Sequence, residues 1–256
     1  MNPVYFILGT PGSGRRAIVR DLIEHGLATE EKALILLAEG EAADPADAAL
    51  AKLTNAEVRR WTWTDPIIPP VEIPEGATVF LIADALTNQI DQLEALKPWL
   101  ESQGAELARI FCVVDCHLAE QNPVLRQWFD ACIHFADVVL LTRREGLANK
   151  WLSDFIKHFK DLRYPCHFVQ VKAKGSLATP LVWLDPTARR VTQYFDEGET
   201  AIEIEGLETD DEEDDAEDTG LLPPEPYFIR QTSGRRDKEL PDVREFYPKA
   251  SGEPAN

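Results

Sequence analysis

The sequence predicts an α/β protein of three layers, a mainly parallel sheet with helices on both faces. Three observations predict it. Short, almost wholly apolar runs recur through the first two thirds of the chain, as in strands buried on both faces. Amphipathic stretches at helical spacing separate them, which supplies the crossovers that parallel strands need. The first apolar run ends in a glycine-rich turn that opens directly into the first of these helices.

Val4-Tyr5-Phe6-Ile7-Leu8 is the first strand, and residues 17–23 carry apolar side chains at helical spacing up to Gly26. Residues 32–37 form a second buried strand. The alanine- and acid-rich stretch 39–49 contains Pro45, well placed to start a short helix. Residues 58–63 alternate as a strand does, and Pro66, Pro69, Pro70 and Pro74 then mark a long loop. Residues 78–82 are the next strand, ending at Asp84. Residues 89–103 are helical in pattern, but Pro98 predicts a kink or two short helices. Residues 108–114 are strongly apolar, with Asp115 at the carboxyl end. A helix follows over 123–135, its apolar face including Leu125, Trp128, Phe129 and Cys132. A strand over 138–141, a helix over 148–159 and a strand over 167–171 complete the pattern.

Beyond Gly175 the pattern weakens. Residues 1–175 are expected to form the main domain and 176–204 a small extension, in which 181–184 and 190–195 pair as a hairpin. Residues 205–220 read as a solvated acidic linker. Residues 221–256 form a proline-rich tail. It carries Tyr227, Phe228, Ile229, Phe246 and Tyr247, too many aromatics for a pure linker, so it either stays free or docks on the body.

Net charge is −19 over 256 residues, and residues 199–218 hold twelve acidic side chains and no basic one. Such a balance argues against nucleic acid and anionic membrane as partners. No apolar run approaches the ~20 residues that span a bilayer, and the N-terminus has no signal-type segment. A cytoplasmic protein is expected, with an unknown protein as partner. Cys112, Cys116, Cys132 and Cys166 read as small buried hydrophobes. The adjacent pairs Cys116-His117 and Cys166-His167 are the alternative, a metal site if the fold joined them. No transition metal is predicted.

The turn Gly9-Thr10-Pro11-Gly12-Ser13-Gly14-Arg15-Arg16 carries the functional signal. Glycines let successive backbone N–H groups face one anion, and the new helix adds its positive end. Gly9 and Gly14 fit the spacing Gly-x-x-x-x-Gly-Lys-Ser/Thr. Arg15 stands at the place of the phosphate-reaching lysine, and Arg16 at that of the magnesium-binding hydroxyl. Gly9, Thr10, Pro11, Gly12, Ser13, Gly14, Arg15 and Arg16 are the candidate phosphate site.

With FILGTPGSGRR at the start, VFLIAD near residue 80, FCVVDC near 113 and FADVVLLTRREGL near 140, residues 4–171 resemble CobW-type GTPases. These belong with HypB and UreG among metal-insertion and cobalamin-biosynthesis GTPases. The resemblance implies a P-loop NTPase-like fold with GTP or GDP as ligand. It also marks departures. Arginine is not a conservative exchange at a tight phosphate contact, and Arg16 cannot hold magnesium, which puts that ion in doubt. The family's base-reading Asn-Lys-x-Asp corresponds to Thr142, Arg143, Arg144 and Glu145. Glu145 either meets guanine on a longer stem or is a solvated loop acid. Asp84 stands near the family's switch glutamate, without the following glycine. Asp84 and Asp115 either orient a magnesium water or cap the next turn. The family's Cys-x-Cys-Cys run is absent, and Trp61-Thr62-Trp63 occupies that part of the chain.

Three readings follow. The first is a non-catalytic or weak nucleotide- or phosphate-binding regulatory module with eroded motifs. The second is a slow GTP hydrolase of the metal-insertion type. The third is an interaction protein that binds no nucleotide. Arg15, Arg16 and Arg20 also crowd a helix N-terminus that is already positive. An anion there is expected to offset them, either a bound phosphate or the chain's own run at residues 210–215.

Overall fold

The computed structural model describes residues 1–172, 175–196 and 224–247. Seven strands form one sheet: β1 (Asn2–Gly9), β2 (Ala33–Ala38), β3 (Ala56–Trp61), β4 (Thr78–Ile82), β5 (Ala105–Asp115), β6 (Val138–Thr142) and β7 (His167–Gln170). Their order is β3-β2-β4-β1-β5-β6-β7, and every pair is parallel. β1 lies between β4 and β5, so its carboxyl end opens where connections leave to both sides. In open parallel sheets that end is where ligands bind.

Successive side chains of a strand point to opposite faces, and β1 divides its residues accordingly. Val4, Phe6 and Leu8 belong to the core under α3 (Gln89–Gln103), α5 (Arg126–Phe135) and α6 (Asn149–Asp161). Tyr5 and Ile7 belong to the opposite core, under α1 (Arg15–Gly26), α2 (Asp47–Leu50) and α7 (Pro180–Trp183). The three expected layers are therefore present. Gly26 is where α1 and α7 meet: a Cβ added there would lie 2.7 Å from Leu184 Cδ1.

Two expectations are corrected. Of the two outcomes expected at Pro98, the division into two short helices does not occur: α3 is one helix from Gln89 to Gln103. Proline has no N–H for the carbonyl four residues earlier. That carbonyl, on Glu94, instead accepts from the Tyr194 hydroxyl at 3.1 Å. The hairpin expected within 176–204 does not form among the described residues. Residues 180–183 are a helical turn with Pro180 in its first turn. Around 190–195, side-chain bonds replace a strand ladder: Arg190 Nη1 donates to Asp137 Oδ2 at 3.2 Å and Thr192 Oγ1 to Glu225 Oε2 at 2.6 Å. The short helix expected after Pro45 is α2, Asp47–Leu50, and one helix comes unannounced, α4 (Cys116–Gln121), which Asp115 caps. The helix expected over 123–135 begins as a 3-10 turn over Pro123–Leu125.

The acidic linker lies outside the described residues. Residues 224–247 lie against the body on the α3 and α5 side. Phe228 stacks on Phe135 with ring centroids 5.2 Å apart, and Tyr227 lies 5.0 Å from the His134 ring. All four cysteines are buried and free. Burial pushes the thiols of Cys116 and Cys166 up to about 12.

Candidate functional site

The glycine turn follows β1 and opens α1, as its letters predict. Gly9, Gly12 and Gly14 have φ of 141°, 66° and 95°, backbone that side-chain-bearing residues seldom adopt. Gly9 is constrained twice over, because a Cβ there would lie 2.6 Å from the Val113 carbonyl oxygen of β5. The loop is held from three sides. Gln89 Nε2 donates to Gly9 O at 2.7 Å, and Gly9 N–H donates to Gln89 Oε1 at 3.0 Å. Thr142 Oγ1, at the end of β6, lies 2.9 Å from Ser13 O and 3.0 Å from Val114 O. Within the turn, Ser13 N–H donates to Thr10 O at 3.2 Å.

Several polar groups of the loop are left without partners. Thr10 Oγ1 and Ser13 Oγ are buried and unbonded, although buried hydroxyls are ordinarily hydrogen-bonded. Gly14 stands at the N-cap position in left-handed conformation with no side chain to cap α1. A loop with spare donors at a helix N-terminus is arranged to take an anion.

Arg15 and Arg16 do not supply the cation at the loop. Arg15 is 3% exposed and reaches beneath the end of β4, where Nη1 donates to Ala83 O at 2.5 Å and Nη2 to Glu41 Oε1 at 2.5 Å. Arg16 bonds both oxygens of Asp47 at 2.7 Å and Glu41 Oε2 at 3.3 Å. Ala85 N–H donates to Glu41 Oε1 at 3.0 Å. Arg20 pairs with Glu24 along the helix at 3.4 Å. The charge at the start of α1 is thus met by Glu41 and Asp47, near in space and distant in sequence. The run at 210–215, proposed for that role, lies outside the described residues.

The cation that does stand over the loop is Arg143. A Cβ added to Gly12 would lie 3.7 Å from Arg143 Nη2. Arg143 has a positive φ of 48°, and its Nη1 is 3.3 Å from Asp115 Oδ2. Arg144 turns aside to Gln170 Oε1 and Val171 O, at 2.9 and 3.1 Å. Glu145 is exposed, and its carbonyl accepts from His117 Nε2 at 2.8 Å.

The two carboxylates considered for magnesium sit at strand ends, each with other work. Asp115 Oδ1 accepts from Leu118 N–H at 3.1 Å, capping α4. Asp84 Oδ1 accepts from Leu86 N–H at 2.9 Å. Burial raises the Asp84 pKa, the Leu86 hydrogen bond and Arg15 oppose that rise, and Glu41 adds to it. The cation beside these carboxylates is Arg15, already bonded to Ala83 O and Glu41. With Arg16 where a hydroxyl is needed, the donor set does not suit magnesium. Among the described residues there is no group of three His, Cys, Asp or Glu side chains placed to hold a metal.

Sequence reasoning missed Gln89, Gln92 and Glu41. Gln92 repeats the Gln89 arrangement one turn on: Asp84 N–H donates to its Oε1 at 2.9 Å, and its Nε2 donates to Asp84 O at 2.8 Å and Thr87 Oγ1 at 2.7 Å. The available signal was their spacing of three after Asn88, whose side chain accepts from Ile90 N–H and caps α3. Two glutamines one turn apart share a helix face.

No protein-family model matches the chain, and no curated protein matches it. Solved structures do. The Zn(II)-bound YjiA GTPase from E. coli is 17% identical with a TM-score of 0.41, over 70% of this chain and 62% of that one. The cell division protein FtsY from Thermotoga maritima is 13% identical with a TM-score of 0.45, over 73% and 68%. This chain therefore spans less than two thirds of the YjiA length. Among the described residues, no helix is long and apolar enough to cross a membrane.

Proposed function

We propose that this chain is a phosphate- or nucleotide-binding module on a GTPase-like frame that does not hydrolyse its ligand. The observation that carries the reading is the removal of Arg15 and Arg16 into buried ion pairs with Glu41 and Asp47. Phosphoryl transfer rests on charge positioned at the transferred group and on a metal ion. Here the residues at those two places are spent on the fold. Anion binding needs less: the glycine backbone, the Thr10 and Ser13 hydroxyls, and Arg143 from the side. The output on this reading is contact with another protein, in an ordinary cytosolic setting.

The test is a thermal-shift series with pyrophosphate, GDP, GTP and ATP, each with and without magnesium. A ligand that binds only the folded state raises Tm by linkage. A shift independent of magnesium and reduced in Arg143→Ala is the expected outcome, together with no GTP turnover above buffer. Magnesium-dependent hydrolysis favours the slow GTPase instead. The absence of any shift favours an interaction protein that takes no nucleotide.

A further inference from the structure

We propose that the glycine loop binds the phosphate moiety of its ligand and reads no nucleobase, so that pyrophosphate, GDP and ADP are equivalent to it. The proposal rests on the phosphate-binding reading above and narrows its ligand class.

A site discriminates through buried polar groups that the wrong ligand leaves unpaired. Thr10 and Ser13 are 0% and 1% exposed, and the hydroxyls of both are unbonded. Both lie in the turn between the carboxyl end of β1 and the start of α1. A phosphate oxygen accepts from a hydroxyl, and the open N-terminus of α1 favours its charge. The side-chain cation at the loop is Arg143. Its Nη1 is held 3.3 Å from Asp115 Oδ2, which leaves Nη2 over Gly12, 3.7 Å from where a Cβ would stand. Arg143 is placed there by a left-handed backbone with φ of 48°, which a residue with a side chain seldom adopts. Strained positions of this kind cluster where a ligand is clamped. The two hydroxyls and the guanidinium are all donors, and all suit an oxyanion.

The segment that the resemblance assigns to the base, residues 142–145, is committed elsewhere. Thr142 Oγ1 fastens the loop to β5 through Ser13 O and Val114 O, at 2.9 and 3.0 Å. Arg144 is held by Gln170 Oε1 and Val171 O. The Glu145 carbonyl is engaged by His117 Nε2 at 2.8 Å, and the residue is exposed. An exposed, rotamer-rich side chain loses entropy when a ligand orders it, and it only exchanges a bond to water for a bond to the ligand. It therefore adds little to the choice between bases. The unpaired buried groups are at the loop, and selectivity falls on the phosphate.

The experiment uses the full chain without magnesium. Pyrophosphate, GDP and ADP are titrated by calorimetry. The first is the free diphosphate, and the other two carry the same group on different bases. All three are expected to bind within about threefold of one another. Arg143→Ala is expected to weaken all three alike, by about tenfold, and Glu145→Gln to alter none of them. Thr10→Val keeps the side-chain shape and removes the unbonded hydroxyl. It is expected to leave the ligand-free Tm unchanged or higher and to weaken pyrophosphate binding. GDP or ADP bound more tightly than pyrophosphate by about tenfold or more overturns the proposal and leaves the phosphate reading standing. A lowered Tm in Thr10→Val with pyrophosphate affinity intact also overturns it, because the hydroxyl then serves the fold. Absence of binding by all three ligands removes the phosphate reading and this inference with it.

Discussion

The side-chain amide of Gln89 brackets both polar groups of the Gly9 backbone, its Nε2 2.7 Å from the carbonyl and its Oε1 3.0 Å from the nitrogen. Gln89 is fully buried, so no water completes these bonds if the side chain is lost. The first glycine of the loop is thereby tied to the start of α3, the helix that follows β4 in the chain.

Truncating this amide strands two buried backbone groups at once. An unsatisfied buried group costs about 1–3 kcal/mol. Gln89→Ala is therefore expected to lower stability in urea by at least that amount. Gln89→Glu keeps the acceptor for Gly9 N–H and sets a carboxylate against Gly9 O, so it is expected to rescue little. Equal stability of wild type and Gln89→Ala refutes the clamp.

Glu41 serves two buried arginines and the Ala85 N–H. Removing one member of such a cluster leaves uncompensated charge, at a cost of about 3–5 kcal/mol. Glu41→Ala is expected to fall in that range by chemical denaturation. A triple replacement of Arg15, Arg16 and Glu41 by Met, Met and Leu is expected to recover most of the loss, because apolar packing substitutes for buried ion pairs. A mild effect of Glu41→Ala alone contradicts the assignment of Arg15 and Arg16 to the fold.

Tyr194 donates to the carbonyl that Pro98 leaves open. Tyr194→Phe keeps the ring, with its 4.7 Å edge contact to Phe228, and removes one hydrogen bond worth about 1 kcal/mol. Pro98→Ala restores an N–H to the helix ladder. In that background the Tyr194→Phe loss is expected to shrink, and a double-mutant cycle measures the coupling. Strict additivity rules out the compensation.

Glu225 gives the docked segment 224–247 a pH dependence with a defined sign. Burial works to raise its pKa, yet hydrogen bonds from His134 and Thr192 outweigh burial and hold it below the ordinary carboxylate value. A depressed folded pKa contributes stability that is complete above the unfolded value and lost as pH falls through the folded one. Protection of this segment, read as exchange or proteolysis near residues 225–228, is expected to hold at neutral pH and fade below about pH 4. Glu225→Gln is expected to lower protection at neutral pH and flatten this profile. An unchanged profile in that variant places the acid transition elsewhere.

The sequence by itself determined the sheet and the loop. Each of the seven strands is a local apolar or alternating run, and the glycines of the turn record a backbone that a Cβ would forbid. Such signals are local because strand periodicity and φ are properties of neighbouring residues. Tertiary structure decided what the polar side chains do. Arg15 reads as a phosphate ligand only until Glu41 arrives from beyond β2, and Pro98 reads as a helix break only until Tyr194 caps the open carbonyl. Gln89 carries no mark in the letters that ties it to the loop. A side chain's partner is set by which groups burial brings within hydrogen-bond reach, and here those groups lie 26 residues away for Arg15 and Glu41 and 80 for Gln89 and Gly9.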